Sequence, residues 1–277
     1  MNVVFWNINK RDDVYDVVAD MIVENQSDIA AIAEVKNDEE AQSLLTAIVS
    51  KVPTYKLQTP QNKWKKNFVY VYYRSDVVEI NNQFDSSDIH VKRINLVNQK
   101  DEIYGIFCHQ GSKMSNNDNE QTDSAETLVK HIRDFEKLEV EYNQMFVCGD
   151  FNMNPFEEGL IKAKAFHAVN SKTLLKKDNR TIDGENYPIF YNPMWSFFGD
   201  NSKGITPGTY YYSGSKQREY FWHIFDQVLL RPSIVDMFEE DKLDILTSIK
   251  GISMLKNGVI DKSIYSDHLP IVFTFKL

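Results

Sequence analysis

The segment with the strongest chemical character is Gly149-Asp150-Phe151-Asn152, which directly follows the apolar run 145–148. Glycine permits the tight exit that a strand makes before a loop. Asp150 and Asn152 are two residues apart, so they would share one face if the strand continues. The first offers a carboxylate that can accept a proton, and the second an amide that can donate to a phosphate oxygen.

A second signal is Ser266-Asp267-His268, which precedes the final apolar stretch. It places a hard oxygen ligand beside an imidazole, although an Asp-His pair alone also fits a turn that caps a strand. Asp226 lies inside another apolar run, 224–230. An unpaired charge there is costly, so we expect Asp226 to have a partner.

Several short apolar runs end in a polar or ionisable residue. These junctions lie at Asn7, Glu34, His109 and Asp150. An ionisable group at the end of a core strand is costly unless it is paired or binds a metal. Each residue alone could simply begin a solvated loop, but ligands collect at strand ends in open sheets. The joint pattern predicts that the strand tips converge on one site.

The apolar runs are too short for ordinary helices and predict strands that are buried on both faces. The predicted strands cover 3–6, 29–33, 68–73, 103–108, 145–148, 224–230 and the stretch after His268. Helical periodicity predicts helices over 12–25, 39–50, 124–140 and 155–165. Residues 170–223 predict long loops with short strands. We expect a single α/β domain over residues 1–277.

The composition is that of an ordinary folded chain. Its 277 residues include 31 Lys and Arg against 40 Asp and Glu, a net charge of −9. This argues against a protein held to nucleic acid by net charge alone, but not against a basic patch beside an acidic, metal-holding cleft. No apolar run approaches the ~18 residues of a membrane helix, and the N-terminus does not resemble a signal peptide. We expect Cys108 and Cys148 to be reduced, buried thiols in a cytoplasmic protein.

Together these motifs resemble the endonuclease/exonuclease/phosphatase superfamily, which includes DNase I-like nucleases and several lipid and inositol phosphodiesterases. The resemblance spans residues 3–277, in the family's order. The motifs that carry it are Trp6-Asn7-Ile8-Asn9, Ala33-Glu34, His109, Gly149-Asp150-Phe151-Asn152, Phe225-Asp226-Gln227-Val228-Leu229 and Ser266-Asp267-His268. The resemblance implies a four-layer αββα sandwich of two mostly antiparallel sheets with outer helices. The active site would lie at one edge, where strand tips meet.

The resemblance also implies a divalent cation, Mg²⁺, for which Mn²⁺ can substitute. Glu34 would be the main ligand with Asp267 nearby, and Asn7 would position metal or phosphate. Mg²⁺ prefers oxygen ligands and keeps several waters, so one or two carboxylates suffice. The alternative for Glu34 is a surface salt bridge with Lys36.

The catalytic roles follow from the same resemblance. Asp226 would orient His268, and Asp150 would orient or deprotonate the attacking water. Asn152 and His109 would donate to the non-bridging phosphate oxygens as charge develops. Which Asp or His is the base stays open. The other four histidines, His90, His131, His167 and His223, are interpreted as structural. Asn9 stands where some nuclease branches carry a carboxylate.

The sequence leaves the substrate open between nucleic acid, a small or lipid phosphoester, and a non-catalytic binding role. Lys63, Lys65 and Lys66 flank a tryptophan, a pattern that can bind a nucleic-acid backbone and stack a base. Arg218 lies just upstream of Asp226, with the aromatic segment 209–212. We therefore expect a nuclease acting on DNA or RNA, with no membrane partner. A solvated loop is the alternative for the lysines.

If the three lysines bind a polymer, changing all three to Ala raises KM on nucleic acid and flattens its salt dependence, because fewer counterions are released. The value of kcat changes little, because these residues lie outside the chemistry. The measurement is kcat/KM across salt for a long nucleic acid and for a small phosphomonoester. If the salt dependence of kcat/KM on nucleic acid is unchanged, the three lysines belong to a solvated loop that does not bind the polymer.

Overall fold

The chain forms two β-sheets, which a computed structural model describes over residues 1–58, 69–85, 89–98, 102–138, 144–215, 217 and 219–277. In chain order the strands are β1 (Asn2–Asn7), β2 (Ile29–Ala33), β3 (Tyr55–Gln58), β4 (Val69–Arg74), β5 (Val78–Asp85), β6 (Ile89–Leu96), β7 (Glu102–His109), β8 (Met145–Asp150), β9 (Ala168–Val169), β10 (Asn179–Ile182), β11 (Glu185–Pro188), β12 (Phe190–Tyr191), β13 (Tyr210–Tyr211), β14 (Trp222–His223), β15 (Asp226–Leu230), β16 (Asp244–Ile245), β17 (Ser248–Ile249), β18 (Ile252–Ser253), β19 (Leu255–Lys256), β20 (Val259–Ile260) and β21 (Ile271–Thr274).

The first sheet has six strands in the order β16-β21-β1-β2-β4-β3, and the second has seven in the order β5-β6-β7-β8-β15-β12-β9. Neighbours are antiparallel except β1 with β2, β7 with β8, and β9 with β12. The remaining short strands form four two-stranded hairpins. The expected pair of mostly antiparallel sheets is therefore confirmed.

Four α-helices accompany the sheets: α1 (Tyr15–Glu24), α2 (Asp38–Lys51), α3 (Asp118–Glu136) and α4 (Glu158–Ile161). Helix α3 begins with a capping box, in which Asn117 accepts from the Glu120 backbone and the Glu120 side chain accepts from the Asn117 backbone. This reciprocal pair satisfies amide groups that the first turn leaves unpaired. Short 3₁₀ helices cover Lys172–Lys176, Pro193–Phe197, Pro232–Met237 and Glu240–Lys242.

Apolar side chains from both sheets fill the space between them. Phe146 on β8 lies with its ring centroid 5.7 Å from that of Phe273 on β21, edge to face. Helices α1 and α2 cover the first sheet with residues such as Met21 and Leu44. Helix α3 covers the outer face of the second with residues such as Leu128. The result is the four-layer order of helix, sheet, sheet and helix.

Most predicted elements are confirmed, with shifted bounds. The helix predicted over 155–165 is wrong, since only the single turn of α4 forms there. The predicted helix over 124–140 begins six residues earlier, at Asp118, and ends at Glu136. Leu138, inside the predicted bounds, is therefore outside the helix and 73% exposed. The strands β3, β5 and β6 were not expected, because polar residues interrupt their apolar pattern. Cys108 and Cys148 are buried free thiols, as expected.

Among the described residues, no helix has the length and apolar character that crossing a bilayer demands.

Gly149 is required by the close approach of β7 and β8. A Cβ at this position would lie 2.0 Å from the backbone oxygen of Cys108. We expect Gly149→Ala to lower the free energy of unfolding by about 1–3 kcal/mol or more, because strand backbone must shift to admit the methyl group. Urea unfolding measures this change. Gly251→Ala is the control, since Gly251 has φ of +74° but open space around it; an equal effect in both variants would contradict the steric account.

Candidate active site

The polar strand ends lie together at one edge of the two sheets. In the second sheet, His109 pairs with Asp150 across β7 and β8, and Asp150 pairs with Asp226 across β8 and β15. Because β15 runs antiparallel to β8, its first residue lies beside the last residue of β8. Three ionisable side chains are therefore placed on neighbouring strands by register alone.

Asn7, at the end of β1, links the two sheets. Its Nδ2 donates to Glu34 Oε1 at 3.2 Å and to Asp150 Oδ2 at 3.0 Å. Its Oδ1 accepts from the Asn9 backbone at 2.9 Å, which fixes the direction of the amide. The Ser266 hydroxyl donates to the Asn7 carbonyl at 2.6 Å. These contacts hold the last loop of the chain against the first strand.

His268 is held by a buried carboxylate. Its Nδ1 lies 2.8 Å from Asp226 Oδ2, and its Nε2 lies 3.8 Å from Asp150 Oδ2. The Trp6 indole donates to the His268 carbonyl at 2.8 Å and fixes its backbone. The expected partner of Asp226 is thus His268, and the pair lets Nε2 of the imidazole face the other carboxylates.

Burial raises the pKa of Asp226. Burial alone would lower the pKa of His268, but the negative charges of Asp226 and Asp150 outweigh it and raise this pKa to about 10. In the protein without a bound cation, His268 is therefore an imidazolium near neutral pH.

His109 and Asn152 complete the ring of polar groups. His109 Nε2 lies 3.6 Å from both Glu34 Oε1 and Asp150 Oδ2. The Asn152 backbone donates to Asp150 Oδ1 at 2.8 Å, and its Nδ2 donates to the Gln110 carbonyl at 3.0 Å. That amide carries a second hydrogen, which remains available to a ligand.

These groups lie at or beside a cavity of about 300 Å³. The described residues on its wall are Asn9, Glu34, Ser112, Lys113, Met114, Asp150, Asn152, Tyr210, Tyr212, Glu219, His223, Phe225, Asp267 and His268. Glu34 and Asp267, the two expected ligands, both face this space, and oxygen donors suit Mg²⁺. Glu34 has φ of +56°, a strained conformation that is often found at functional sites. Lys36, the partner expected in the salt-bridge alternative, pairs instead with Asp12 at 3.1 Å, whereas Glu34 Oε2 lies 3.8 Å from Nζ of the exposed Lys10.

Another grouping, of Asp150, Asp226 and His268, has one ligand atom from each residue within 4.8 Å of the others. However, Asp226 is fully buried, and its Oδ2 already binds Nδ1 of His268. Asp226 Oδ1 has no hydrogen-bond partner among the described residues, and Nε2 of His268 lies toward Asp150, so a cation here need not break that pair. Two sets of donors can therefore be considered for a cation: this buried group, and the oxygens of Glu34 and Asp267 on the open wall of the cavity.

The structure also shows neighbours of the site that sequence reasoning missed or set aside. Tyr210 and Tyr212 belong to the aromatic segment expected to shape substrate choice, and both line the cavity. His223, interpreted as structural, lines it too, beside Glu219. Thr209 Oγ1 accepts from the backbones of Phe225 and Asp226, a role that its place in the segment 209–212 did not indicate. The predicted substrate-binding residues Lys63, Lys65, Lys66 and Arg218 lie outside the described residues.

Comparisons with known proteins identify the family of the chain. The sequence profile of the endonuclease/exonuclease/phosphatase family matches residues 4–268, and the chain belongs to this family. Its members are phosphoester hydrolases. No curated protein matches the chain.

Solved structures share the fold at low sequence identity. TDP2 from D. rerio, complexed with a single-strand DNA product, has a TM-score of 0.62 and 14% identity, with 100% of this chain and 99% of that chain covered. The AP endonuclease from Archaeoglobus fulgidus has a TM-score of 0.58 and 17% identity, with both chains 100% covered. A mannosyl-6-phosphatase from Bacteroides thetaiotaomicron has a TM-score of 0.60 and 15% identity, with 99% and 98% covered.

The raised pKa of His268 gives a test of the pair in metal-free protein. The folded state keeps the proton to about pH 10, whereas the reference pKa is 6.5. The stabilisation that this proton gives to the folded state is therefore fully present below pH 6.5 and lost as the pH rises through 10. We expect the unfolding temperature in EDTA to fall more steeply over this interval for wild type than for Asp226→Asn, which removes the main raising charge. Parallel curves in thermal melts would contradict the pairing.

Proposed function

We propose that this protein is a divalent-cation-dependent hydrolase that cleaves phosphodiester bonds of nucleic acid by attack of water on phosphorus. The observation that carries the proposal is the meeting of Asn7, Glu34, Asp150 and the Asp226–His268 pair at one cavity. Such a set combines carboxylates for a cation with an oriented imidazole and a proton acceptor. Membership of a phosphoester hydrolase family supports it.

In this proposal Glu34 and Asp267 hold Mg²⁺ or Mn²⁺, with Asn7 orienting Glu34. The cation, when bound, neutralises charge on the phosphate. Asp150 accepts the proton of the attacking water, because its Oδ2 lies at the centre of the site, 3.0 Å from Asn7 Nδ2 and 3.8 Å from His268 Nε2. His268, His109 and the free hydrogen of the Asn152 amide donate to the non-bridging oxygens as negative charge develops.

Nucleic acid is the preferred substrate class because Tyr212 on the cavity wall is 45% exposed and offers a ring on which a base can stack. The fold is also that of a protein complexed with a DNA product. A small phosphoester is the second candidate. The cavity volume of about 300 Å³ and the shared fold with a mannosyl-6-phosphatase favour it.

The deciding experiment incubates the protein with Mg²⁺ or Mn²⁺ and a panel of plasmid, single-stranded DNA, RNA, p-nitrophenyl phosphate and bis(p-nitrophenyl) phosphate. Cleavage of a nucleic acid without monoester release supports the proposal. Release from the monoester alone selects the second candidate. No hydrolysis of any member with either cation contradicts both.

Glu34→Gln should reduce kcat/KM on the best substrate by about a hundredfold or more, because a metal's stabilisation of charge is worth several kcal/mol. The amide keeps the shape of the side chain but loses the charge that holds the cation. Glu39→Gln is the matched control, an exposed carboxylate in the first turn of α2. Wild-type activity of Glu34→Gln at low Mg²⁺ would remove Glu34 from the ligand set.

A further inference from the structure

One wall of the cavity is aromatic and begins at the catalytic histidine. The Tyr210 ring centroid lies 4.8 Å from that of His268, and Phe225 stacks on Tyr210 at 5.2 Å with an interplanar angle of 23°. His223 follows, with its ring centroid 4.7 Å from that of Phe225. The wall thus leads away from the phosphate site, toward the organic part of any bound phosphoester.

Glu219, whose carboxylate has only one oxygen engaged in hydrogen bonds, lies on this wall. Glu219 Oε1 accepts from His223 Nε2 at 2.9 Å, from the Tyr220 backbone at 3.0 Å and from the Phe221 backbone at 3.3 Å. The Glu219 side chain is only 9% exposed, and it lines the cavity. Its Oε2 has no hydrogen-bond partner within the described part of the chain. The carboxylate is therefore fixed through one oxygen and leaves the other free to accept.

The hydrogen bonds of Asn154 determine which ring nitrogen of His223 carries the proton that is donated to Glu219. The Ile224 backbone donates to Asn154 Oδ1 at 3.0 Å, so Asn154 Nδ2 must face His223 Nδ1, at 3.0 Å. An amide nitrogen only donates, so Nδ1 of His223 accepts and the ring proton is on Nε2. Burial lowers the pKa of His223, which keeps the ring neutral near pH 7. His223 consequently donates to Glu219 in its resting form.

Two described lysines near this wall already have partners. Lys113 Nζ contacts Glu157 and lies 3.3 Å from Asp118. Lys262 Nζ donates to the Tyr211 carbonyl at 2.6 Å and lies over the Tyr210 ring. A second phosphate at Oε2 would meet a negative charge, whereas an N–H or O–H group would meet an acceptor.

We propose that Glu219 is a specificity residue, whose Oε2 accepts a hydrogen bond from an N–H or O–H donor on the organic group next to the scissile phosphate. This inference rests on the proposed function and narrows its substrate class. The aromatic wall stacks against a ring, and the carboxylate selects rings that carry a donor. A nucleobase edge and a sugar hydroxyl share this chemistry.

The variant that isolates Oε2 is Glu219→Gln. Its amide oxygen can keep the three hydrogen bonds of Oε1, while the atom in the place of Oε2 changes from acceptor to donor. We expect kcat/KM to fall about ten- to a hundredfold on substrates with a donor, as for loss of a hydrogen bond to a charged group. The donor-bearing arms are a dinucleotide and a hexose 6-phosphate, which separate the two sources. The donor-free arms are p-nitrophenyl phosphate and bis(p-nitrophenyl) phosphate, for which we expect less than a twofold change.

Glu157→Gln is the matched control. Glu157 accepts from Asn154 at 2.8 Å at the other end of the same network, but it is not among the described residues of the cavity wall. Equal losses on all substrates would show that Glu219 only supports its loop, and no loss on any would show that Oε2 has no ligand. The same selective loss in Glu157→Gln, or a wild type that cleaves only the donor-free esters, also overturns the inference. If the wild-type protein hydrolyses none of these esters, the result instead contradicts the proposed function.

Discussion

Two carboxylates, Asp150 and Asp226, are buried at the ends of neighbouring central strands, and much of the site is arranged to satisfy them. A buried charge without partners costs several kcal/mol. Asp226 meets this requirement through His268, and Asp150 through Asn7 and the Asn152 backbone. These partners come from the first strand, from the loop after β8 and from the loop before the last strand. Satisfying two carboxylates therefore requires the whole sandwich to be assembled.

The same requirement explains what the sequence could predict. A polar residue that ends an apolar run is a local signal, and such signals marked Asn7, Glu34, His109 and Asp150 correctly as neighbours in space. The pairing of Asp226 with His268 could be expected because a lone charge in an apolar run needs a partner. The direction of the Asn7 amide could not be expected, since it depends on the backbone of Asn9 and on two carboxylates from other strands.

Other features lay beyond sequence reasoning for physical reasons. Strands β5 and β6 carry polar residues on both faces, so their pattern resembles a loop more than a buried strand. Residues 155–165 have helical spacing, but the backbone turns to an extended conformation at Lys162, with ψ of 135°, and this ends the helix after one turn. Glu219 and His223 stand four residues apart in an irregular segment without periodicity. Only the fold shows that they face the cavity.

The position of β1 between β2 and β21 has a consequence for folding during synthesis. Its partner β2 follows within about 20 residues, but β21 begins more than 260 residues after β1 ends. Until β21 has been made, one edge of an apolar strand is unpaired, and such edges recruit strands of other chains. Slow synthesis of the intervening chain therefore favours aggregation through this edge.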